Sequence, residues 1–341
     1  MKFLVASMRH ELLPLHHRLR REGHDSEAVV WRPRYERAWD GSVTKIIRHS
    51  DSSLHAEALA PAVAEAEAGK VTVLTNVHRV AELFGGAPGL FRAAPDLTPA
   101  APNDRLLLGG WFDGESILVP HLLVADRGAW PGGLGSNVLG GLTLVRLGAG
   151  APPLVASATD TVTQVLKSAS FKGLFHFDVA EDLTTGEMQL QGLSAGWPWL
   201  HTQAFVAELE NLGGTLTGET PRLRHKFVTV LPVTQPPWPN EKRGELAEGV
   251  EVGGLTGQAQ GKCFWFDIVV DRAEKKLRTA GLDGLLCVAT GASDATAALA
   301  RAKALELAMK IEVPEKQYRV DAGAMVDAAL NTLEERWGFV V

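Results

Sequence analysis

The chain has 341 residues, more than one small core needs, and this length predicts two or three domains. Apolar residues make up 45% and charged residues 22%, a composition that excludes a mainly disordered chain. The net charge of −6 excludes general binding of nucleic acid through a basic excess. No apolar run reaches the ~20 residues that span a bilayer, and two cysteines, Cys263 and Cys287, cannot form a disulfide framework. We therefore expect a cytoplasmic protein that binds a small molecule and has neither a membrane nor a nucleic-acid partner.

The first segment alternates strand and helix patterns. In chain order we predict strand Phe3–Ala6, helix Glu11–Arg21, helix Ala56–Ala68 and strand Val71–Leu74. Gly23 provides the stop signal after the first helix. This order predicts a small parallel sheet whose ligand edge lies at the carboxyl ends of the strands. The glycine- and proline-rich stretches Gly85–Gly89 and Pro95–Pro102 are typical of a linker.

The middle segment carries more strands than helices. We predict strands Leu106–Leu108, Ile117–Val119 and Leu142–Val145, helix Ala158–Ser168, a strand pair Gly173–Val179 and Met188–Leu193, and helix Leu200–Leu212. Asp182–Gly186 has the composition of the turn between the paired strands. Gly213 and Gly214 are expected to end the last helix.

The last segment begins near His225. We predict strands Phe227–Leu231, Phe264–Val270 and Leu285–Thr290, with a proline-rich loop Pro232–Pro239. Ser293 or Asp294 can cap a helix that runs to Lys310. The spacing of its apolar residues predicts one buried face, formed by Ala298, Ala302, Leu305 and Met309.

Three stretches have both a functional and a structural interpretation. The five glycines and the asparagine in Gly132–Gly141 can bring backbone N–H groups close to a ligand, or they can form a flexible connection between strands. Arg18, Arg20 and Arg21 form a basic patch that is either a solvated helix face or a phosphate anchor. The aromatic pair in Trp197-Pro198-Trp199 can stack on a base or bury apolar area.

Six motifs follow one another along most of the chain: Arg9-His10-Glu11, Phe112–Ser116, Gly135–Asn137 followed by Gly140-Gly141, His225–Leu231, Lys242–Gly244, and the closing Gln317–Gly323 with its Tyr-Arg-x-Asp-x-Gly pattern. In this order they resemble the motifs of the phosphoribosylamine–glycine ligase family of ATP-grasp enzymes. The resemblance implies an α/β fold with three parts: a Rossmann-like N-terminal domain (1–95), a partial ATP-grasp mixed α+β core (105–222) and a small α+β C-terminal domain (223–341).

The resemblance also implies a site. Arg9, His10, Asn137, Gly140 and Gly141 would bind a phosphoribosyl, nucleotide or amino-acid substrate. The family's Glu-x-Asn magnesium pair lies at Gln189-Leu190-Gln191 in this sequence, and Asp178 is the nearest carboxylate on the paired strand. The metal candidates are therefore Asp178, Gln189 and Gln191, with ATP and Mg²⁺ as the cofactors that the family uses.

The sequence departs from the family at two points. The linker after Phe91 reaches Phe112 directly, so the family's ATP-binding lobe has no counterpart in the sequence. A neutral amide is also a poor substitute for a magnesium carboxylate. Three hypotheses stay open: a reduced ligase that joins a carboxylate and an amine in purine or modified-nucleotide metabolism, a non-catalytic homologue that binds a nucleotide-like or phosphoribosyl ligand or serves as a scaffold, and a protein whose partner chain supplies the missing lobe.

Overall fold

The protein has a mixed α/β architecture built on three sheets. The computed structural model describes residues 1–7, 11–30, 45–46, 62–75, 90–92, 106–136, 138–147, 155–181, 188–239, 247–271, 273–281 and 283–337. Several predicted features lie outside these residues: the start of the helix Ala56–Ala68, the linker stretches Gly85–Gly89 and Pro95–Pro102, the turn Asp182–Gly186, and the motif Lys242–Gly244.

The N-terminal part is a parallel sheet of five strands in the order β3-β2-β1-β4-β5. The strands are β1 (Lys2–Ser7), β2 (Asp25–Val30), β3 (Lys45–Ile46), β4 (Val71–Thr75) and β5 (Leu90–Arg92). Helix α1 (Leu13–Arg21) connects β1 to β2, and residues 62–67 are helical before β4. Gly23 follows α1 with φ of 84°, a left-handed conformation that favours glycine. The predicted parallel sheet is confirmed, whereas β2, β3 and β5 were missed.

The centre of the molecule is an eight-stranded sheet in the order β10-β9-β6-β7-β8-β11-β16-β13. Its strands are β6 (Leu106–Phe112), β7 (Ile117–Arg127), β8 (Leu139–Arg146), β9 (Gly173–Glu181), β10 (Met188–Gly196), β11 (Phe227–Thr234), β13 (Cys263–Trp265) and β16 (Leu285–Ser293). All its pairings are antiparallel. The sheet contains strands from both sides of residue 222, so it runs through the predicted boundary between core and C-terminal domain.

A small third sheet and five further α-helices, besides α1 and the helical residues 62–67, lie within the described residues. The sheet has the order β12-β15-β14, formed by β12 (Glu248–Val252), β14 (Ile268–Asp271) and β15 (Lys276–Ala280). After α1 the helices are α2 (Ala156–Ser168), α3 (His201–Glu208), α4 (Leu212–Leu216), α5 (Ala297–Lys310) and α6 (Val326–Trp337). None of the helices within the described ranges has the length and apolar character that crossing a bilayer requires.

The predicted helix Leu200–Leu212 is confirmed over His201–Glu208 as α3 but ends earlier than predicted, and a second helix, α4, begins at Leu212. The chain becomes extended at Leu209, and Asn211 then caps α4 by accepting a hydrogen bond from the Gly214 backbone N–H at 2.8 Å. Gly213 and Gly214 lie inside α4 instead of ending a helix. Gly213 is required there by close packing, since a Cβ at this position would overlap the His24 ring.

Three predictions in the last segment are also wrong. The strand Phe264–Val270 divides into β13 and β14 because Asp267 turns away to accept hydrogen bonds from the backbone N–H groups of Asp283 and Gly284, at 3.1 and 2.8 Å. Pro232 lies inside β11 instead of opening a loop. Thr296 caps α5, with its hydroxyl accepting from the Leu299 N–H at 3.1 Å, while the Asp294 carboxylate accepts from Lys226 N–H.

The buried face of α5 differs from the predicted one. Its buried residues are Ala297, Ala300, Ala304, Leu307 and Ala308, whereas Ala298, Ala302 and Met309 are exposed. The helix is rich in alanine on every side, so hydrophobic spacing alone could not identify the face. Small residues are needed where α5 crosses β16: a Cβ at Gly291 would overlap the carbonyl oxygen of Ala300.

Apolar cores lie on both faces of the large sheet. One core joins Phe3 and Leu15 of the N-terminal part to Trp111 and Leu144 of the sheet and to Phe205 of α3. The other lies beneath α2 and α6, against residues such as Phe175 and Leu166. The N-terminal part is therefore packed against the large sheet through a continuous apolar interface.

A polar contact fixes α1 against the segment that follows α3. The guanidinium of Arg18 donates to the backbone carbonyls of Val206 (3.2 Å) and Leu209 (2.7 Å). Glu22 forms an ion pair with Arg18 at 2.5 Å and accepts hydrogen bonds from the Leu212 and Gly213 N–H groups at 3.1 and 2.9 Å. The Glu22 carboxylate thus accepts hydrogen bonds both from Arg18 and from the first N–H groups of α4, which have no acceptor within the helix.

Replacing Glu22 with Gln is expected to lower the free energy of unfolding by roughly 1–3 kcal/mol, because two backbone donors and one guanidinium lose a charged acceptor. Urea denaturation followed by circular dichroism measures the change. Glu67→Gln is the matched control, since Glu67 is exposed and has no ion pair or side-chain hydrogen bond with any other described residue. Equal stability of the two variants would contradict the role of Glu22.

Three histidines form a buried cluster on the face of the large sheet that α3 covers. His176 of β9 and His121 of β7 flank Gly109 of β6 in register, and His201 of α3 lies over them. The two ring Nε2 atoms of His121 and His201 are 2.6 Å apart. A side chain at Gly109 would reach both rings, since a Cβ there would lie 3.0 Å from the Cε1 atom of His201.

The hydrogen bonds fix the tautomers of this pair. His121 Nδ1 lies 2.7 Å from the Val119 carbonyl, which only accepts, so Nδ1 carries the proton. Burial lowers the pKa of His121 to about 4 and the pKa of His201 well below its ordinary value, so both rings are neutral at pH 7. His121 Nε2 must then accept from His201 Nε2–H. His201 Nδ1 is left as a buried acceptor with no hydrogen-bond partner among the described residues.

We expect acid to destabilise the fold through this cluster. The unfolded chain protonates His121 near its ordinary pKa of 6.5, whereas the folded chain does so only near 4. Stability is therefore complete above pH 6.5 and falls by about 3 kcal/mol as the pH drops to 4. Urea denaturation at several pH values should give a flatter pH profile for His121→Gln than for the unmodified protein. Parallel profiles would contradict this assignment.

Candidate functional site

The three metal candidates lie together at the end of the β9–β10 hairpin. Asp178 is opposite Gly192, and Gln189 is opposite Ala180. Residues two apart on one strand, and residues directly opposite on its partner, share a face of the sheet. Asp178 and Gln189 therefore lie on the same face, while Gln191 falls at the irregularity between Leu190 and Gly192. The three residues therefore lie on two paired strands, and both their grouping in one metal site and their role as ligands stay predictions.

The donor set does not fit magnesium. Asp178 is only 5% exposed and already makes a contact, and Gln189 is exposed. Magnesium takes octahedral oxygen ligands and is usually held by one or two carboxylates with several waters, so a lone buried carboxylate beside two neutral amides is a weak site. Within the described part of the chain, no group of three or more His, Cys, Asp or Glu side chains could hold a metal ion.

Gly140 and Gly141 lie in β8, away from the metal candidates. The strands β6 and β7 separate β8 from β9 in the sheet. Three strand spacings amount to roughly 14 Å, so the structure does not bring these glycines to the metal candidates. The remaining predicted substrate residues, Arg9, His10 and Asn137, lie outside the described residues.

The surface above Gly140 and Gly141 is covered by the C-terminal Arg-x-Asp-x-Gly motif. A Cβ at Gly140 would overlap the Cδ of Arg319 and the carbonyl oxygen of Gly128. At Gly141 it would lie 2.7 Å from the Cβ of Ala322. The small residues thus allow the loop carrying Arg319 to approach the sheet. Ligand binding by the two glycines stays a prediction, and their packing against Arg319 gives a structural reason for glycine.

Arg319 is the centre of a buried ionic network. It is 5% exposed, makes a paired contact with Asp321 at 2.8 and 2.9 Å, and donates to the Arg127 carbonyl at 2.7 Å. The hydrogen bond and charge of Arg319 lower the pKa of Asp321. Asp321 also accepts from the Gly132 N–H at 2.8 Å, and Asp126 accepts from the Gly323 N–H at 2.7 Å. The motif therefore fixes part of the glycine-rich stretch to the sheet.

Replacing Arg319 with Lys should cost roughly 2–4 kcal/mol of stability, because lysine keeps the charge but cannot make the planar paired contact and the bond to Arg127 together. Chemical denaturation provides the measurement. Arg222→Lys serves as the control, since Arg222 is 72% exposed in its ion pair with Glu210 and should change stability by less than about 0.5 kcal/mol. A neutral Arg319→Lys result would exclude the structural role of this network.

A large groove opens at another place, between α1 and the C-terminal part. Its volume is about 1590 Å³. One wall is α1 with the end of α3, the floor is β13 and part of β16, and the far wall is α5 with β14. Most small-molecule sites measure roughly 300–1,000 Å³, so this groove has room for a polar metabolite and its hydration water.

The charges lining the groove are unbalanced. Three of its four acidic residues form an ion pair with a cation: Glu22 with Arg18 (2.5 Å), Glu210 with Arg222 (2.9 Å) and Glu306 with Lys310 (2.5 Å). The fourth, Glu208, is hydrogen-bonded to the imidazole of His225. By contrast, four cations of the lining have no ion pair within the described part of the chain: Arg21, Arg224, Lys262 and Lys303. Their uncompensated charge makes the groove attractive to an anion, although the whole chain is acidic.

The sequence revealed only a part of this groove. Arg21 belongs to the basic patch for which a phosphate anchor was one interpretation. Arg224, Lys262 and Lys303 are isolated cations in three different elements, and only the fold brings them to one groove. The only indication of the groove in the sequence was the spacing of two arginines in α1: Arg18 and Arg21 are three residues apart and therefore lie on one face of the helix.

The fold is shared with ATP-grasp enzymes. No family model matches the chain, and no curated protein matches its sequence. Among solved structures, phosphoribosylamine–glycine ligase from Thermotoga maritima is similar with a TM-score of 0.60 and 13% identity, over 94% of this chain and 100% of that one. At this identity the likeness shows the fold alone, and it supports the ATP-grasp-like part of the resemblance.

Two carboxylases share the same architecture. Pyruvate carboxylase from Rhizobium etli has a TM-score of 0.56 and 11% identity over 98% of this chain, and urea carboxylase from Kluyveromyces lactis has 0.53 and 10% over 92%. The chain spans only 38% and 30% of those proteins. The chain therefore has an ATP-grasp-like α/β fold, shared by enzymes that differ in overall size.

Proposed function

We propose that this protein binds a phosphorylated small molecule of the phosphoribosyl or nucleotide type, as a relative of the ATP-grasp ligases that does not carry out ATP-dependent ligation. The observation that carries the proposal is the groove, in which four cations have no ion pair within the described residues while three of the four acids are paired with a cation. Phosphate is the common metabolite group that matches several guanidinium and ammonium donors at once.

Two features argue against ligation by this chain alone. Only residues 93–105 lie between β5 and β6, far fewer than the roughly 50 residues of a small domain, so a nucleotide would lack a second enclosing wall. The donor set at Asp178, Gln189 and Gln191 is also poor for magnesium, and phosphoryl transfer from ATP relies on divalent cations to neutralise charge.

Ligation of a carboxylate and an amine remains the second candidate, favoured by the likeness to phosphoribosylamine–glycine ligase. It would need a partner chain to supply the missing lobe and a restored metal site. The double variant Gln189→Glu with Gln191→Asn separates the two candidates. If the variant binds ATP in the presence of magnesium and the unmodified protein does not, the two glutamines mark a lost metal site and ligation by the unmodified protein is excluded. If the unmodified protein itself binds ATP with magnesium, ligation is favoured.

Calorimetric titration with ribose 5-phosphate tests the proposal directly. We expect binding without magnesium and weaker binding as salt is raised, because salt screens the cations. Arg21→Gln combined with Arg224→Gln should weaken binding at least about tenfold, the effect of losing one or two charged hydrogen bonds.

The control for this titration is Lys167→Gln, which removes an exposed lysine paired with Glu115 outside the groove and should leave binding unchanged. Absence of heat at millimolar ribose 5-phosphate, or binding that the double variant leaves intact, would refute the proposal.

A further inference from the structure

Strand β13 (Cys263–Trp265) is an edge strand of the large sheet, because it pairs with β16 and with no other described strand. The backbone groups of successive residues in an antiparallel strand point alternately to its two sides. Just after the strand, the Phe266 N–H donates to the Leu286 carbonyl at 3.0 Å. Phe266 and Phe264 therefore direct their backbone toward β16, whereas Trp265 between them directs its N–H and C=O to the outer edge.

The pairing on the other side of β16 gives the same alternation. The Arg146 N–H donates to the Lys226 carbonyl at 2.8 Å, so even-numbered residues of β11 bond to β8 and odd-numbered ones bond to β16. In β16 the odd-numbered residues then bond to β11 and the even-numbered ones to β13. Phe264, opposite Val288, is thus the bonded residue of β13. Among the described residues, none forms a hydrogen bond with the backbone N–H or C=O of Trp265.

Positive charge lies on the Phe264 face of this edge. Phe264 packs against the core that contains Leu19 of α1. Arg21 of the same helix donates to the Gly261 carbonyl at 3.4 Å, and Lys262 follows Gly261 immediately before the strand. Arg21 and Lys262 belong to the cations of the groove that have no ion pair within the described part of the chain. An acidic side chain on this face would supply the missing countercharge.

The Trp265 face of the edge is apolar. Trp265 and Leu277 both pack against the core that contains Ile268. Val270 of β14 is opposite Leu277 in the small sheet, so their side chains share a face, and Val270 is 45% exposed. Trp265, Leu277 and Val270 all line the groove. An apolar side chain on this face would cover the exposed valine.

We propose that the outer edge of β13 binds an extended partner peptide as a further antiparallel strand of the large sheet, and that acidic and β-branched apolar residues alternate in this peptide. The side chains of an added strand point alternately to its two faces, so the acidic ones meet Arg21 and Lys262 and the apolar ones meet Val270. The inference goes beyond the proposed function, because it concerns a peptide and depends on the backbone of Trp265.

The register of the added strand follows from Trp265. Directly opposite residues share a face, so the peptide residue that exchanges hydrogen bonds with the Trp265 N–H and C=O is an apolar one. The N–H groups of the apolar residues then point to β13, and those of the acidic residues point away from it. Methylation of the backbone nitrogen therefore distinguishes the two sets of residues without changing any side chain.

Fluorescence anisotropy with a short fluorescein-labelled peptide of alternating glutamate and valine tests the proposal. We expect binding that weakens as salt is raised. N-methylation of the valines should weaken binding at least about tenfold, since it removes hydrogen bonds and places methyl groups against β13, whereas N-methylation of the glutamates should leave binding unchanged. Equal affinities of the two methylated peptides, or no binding of the unmethylated peptide at millimolar concentration, would overturn the proposal.

Two variants test the two faces of the edge. Val270→Asn should weaken peptide binding about fivefold, because apolar surface is lost, and Arg21→Gln should weaken it about tenfold. Val320→Asn is the matched control, because Val320 is 55% exposed and lies outside the groove. Equal peptide affinities of Val270→Asn and Val320→Asn would refute the assignment of the apolar face.

Two further measurements separate this proposal from its alternatives. Val270→Asn should leave the binding of ribose 5-phosphate unchanged, so failure of phosphate binding would count against the proposed function and not against the peptide site. Analytical ultracentrifugation tests a second copy of the chain as the occupant. We expect the same oligomeric state for the unmodified protein and Val270→Asn; a dimer that becomes a monomer in the variant would overturn the peptide proposal.

Discussion

The ion pair between Arg18 and Glu22, with its hydrogen bonds to residues 206–213, determines where α1 stands against the large sheet. The apolar interface beneath it is extensive but not directional, so it would tolerate a small shift of the helix. Charged hydrogen bonds to the Val206 and Leu209 carbonyls and to the start of α4 have fixed directions. They hold α1 at one position, and α1 is the wall that carries Arg21 into the groove.

Much of the fold follows from local sequence patterns. The strands β6, β7, β8, β9 and β10, and the order of strand and helix around α1, can be recognised in the sequence because each strand contains a short apolar run. Elements without such signals were missed or misplaced. Gly213 and Gly214 look like a helix stop, but they are glycines because His24 packs on the backbone of α4. The face of α5 was wrong because alanine lies on all sides of it.

The candidate site was less accessible to prediction than the fold. The family resemblance identified the Arg-x-Asp-x-Gly motif and the glycines before it, and the structure explains their packing through Arg319. It gave no indication of the groove, whose cations come from elements more than two hundred residues apart, from Arg21 to Lys303. Charge balance depends on which acids already have partners, and this is a property of three-dimensional contacts. The buried histidine pair is equally invisible in sequence, because it requires the register of β6, β7 and β9.

The continuous large sheet has a consequence for any attempt to divide the protein. β8 and β11 are neighbours with paired residues from Phe227 opposite Val145 to Val230 opposite Leu142, although they lie on opposite sides of residue 222. A cut at that point would leave two fragments, each with a long bare strand and an uncovered apolar layer. Such fragments would associate with each other or with further copies before either could be purified. The chain could therefore be divided at this point only if the two fragments were co-expressed, so that they could pair with each other.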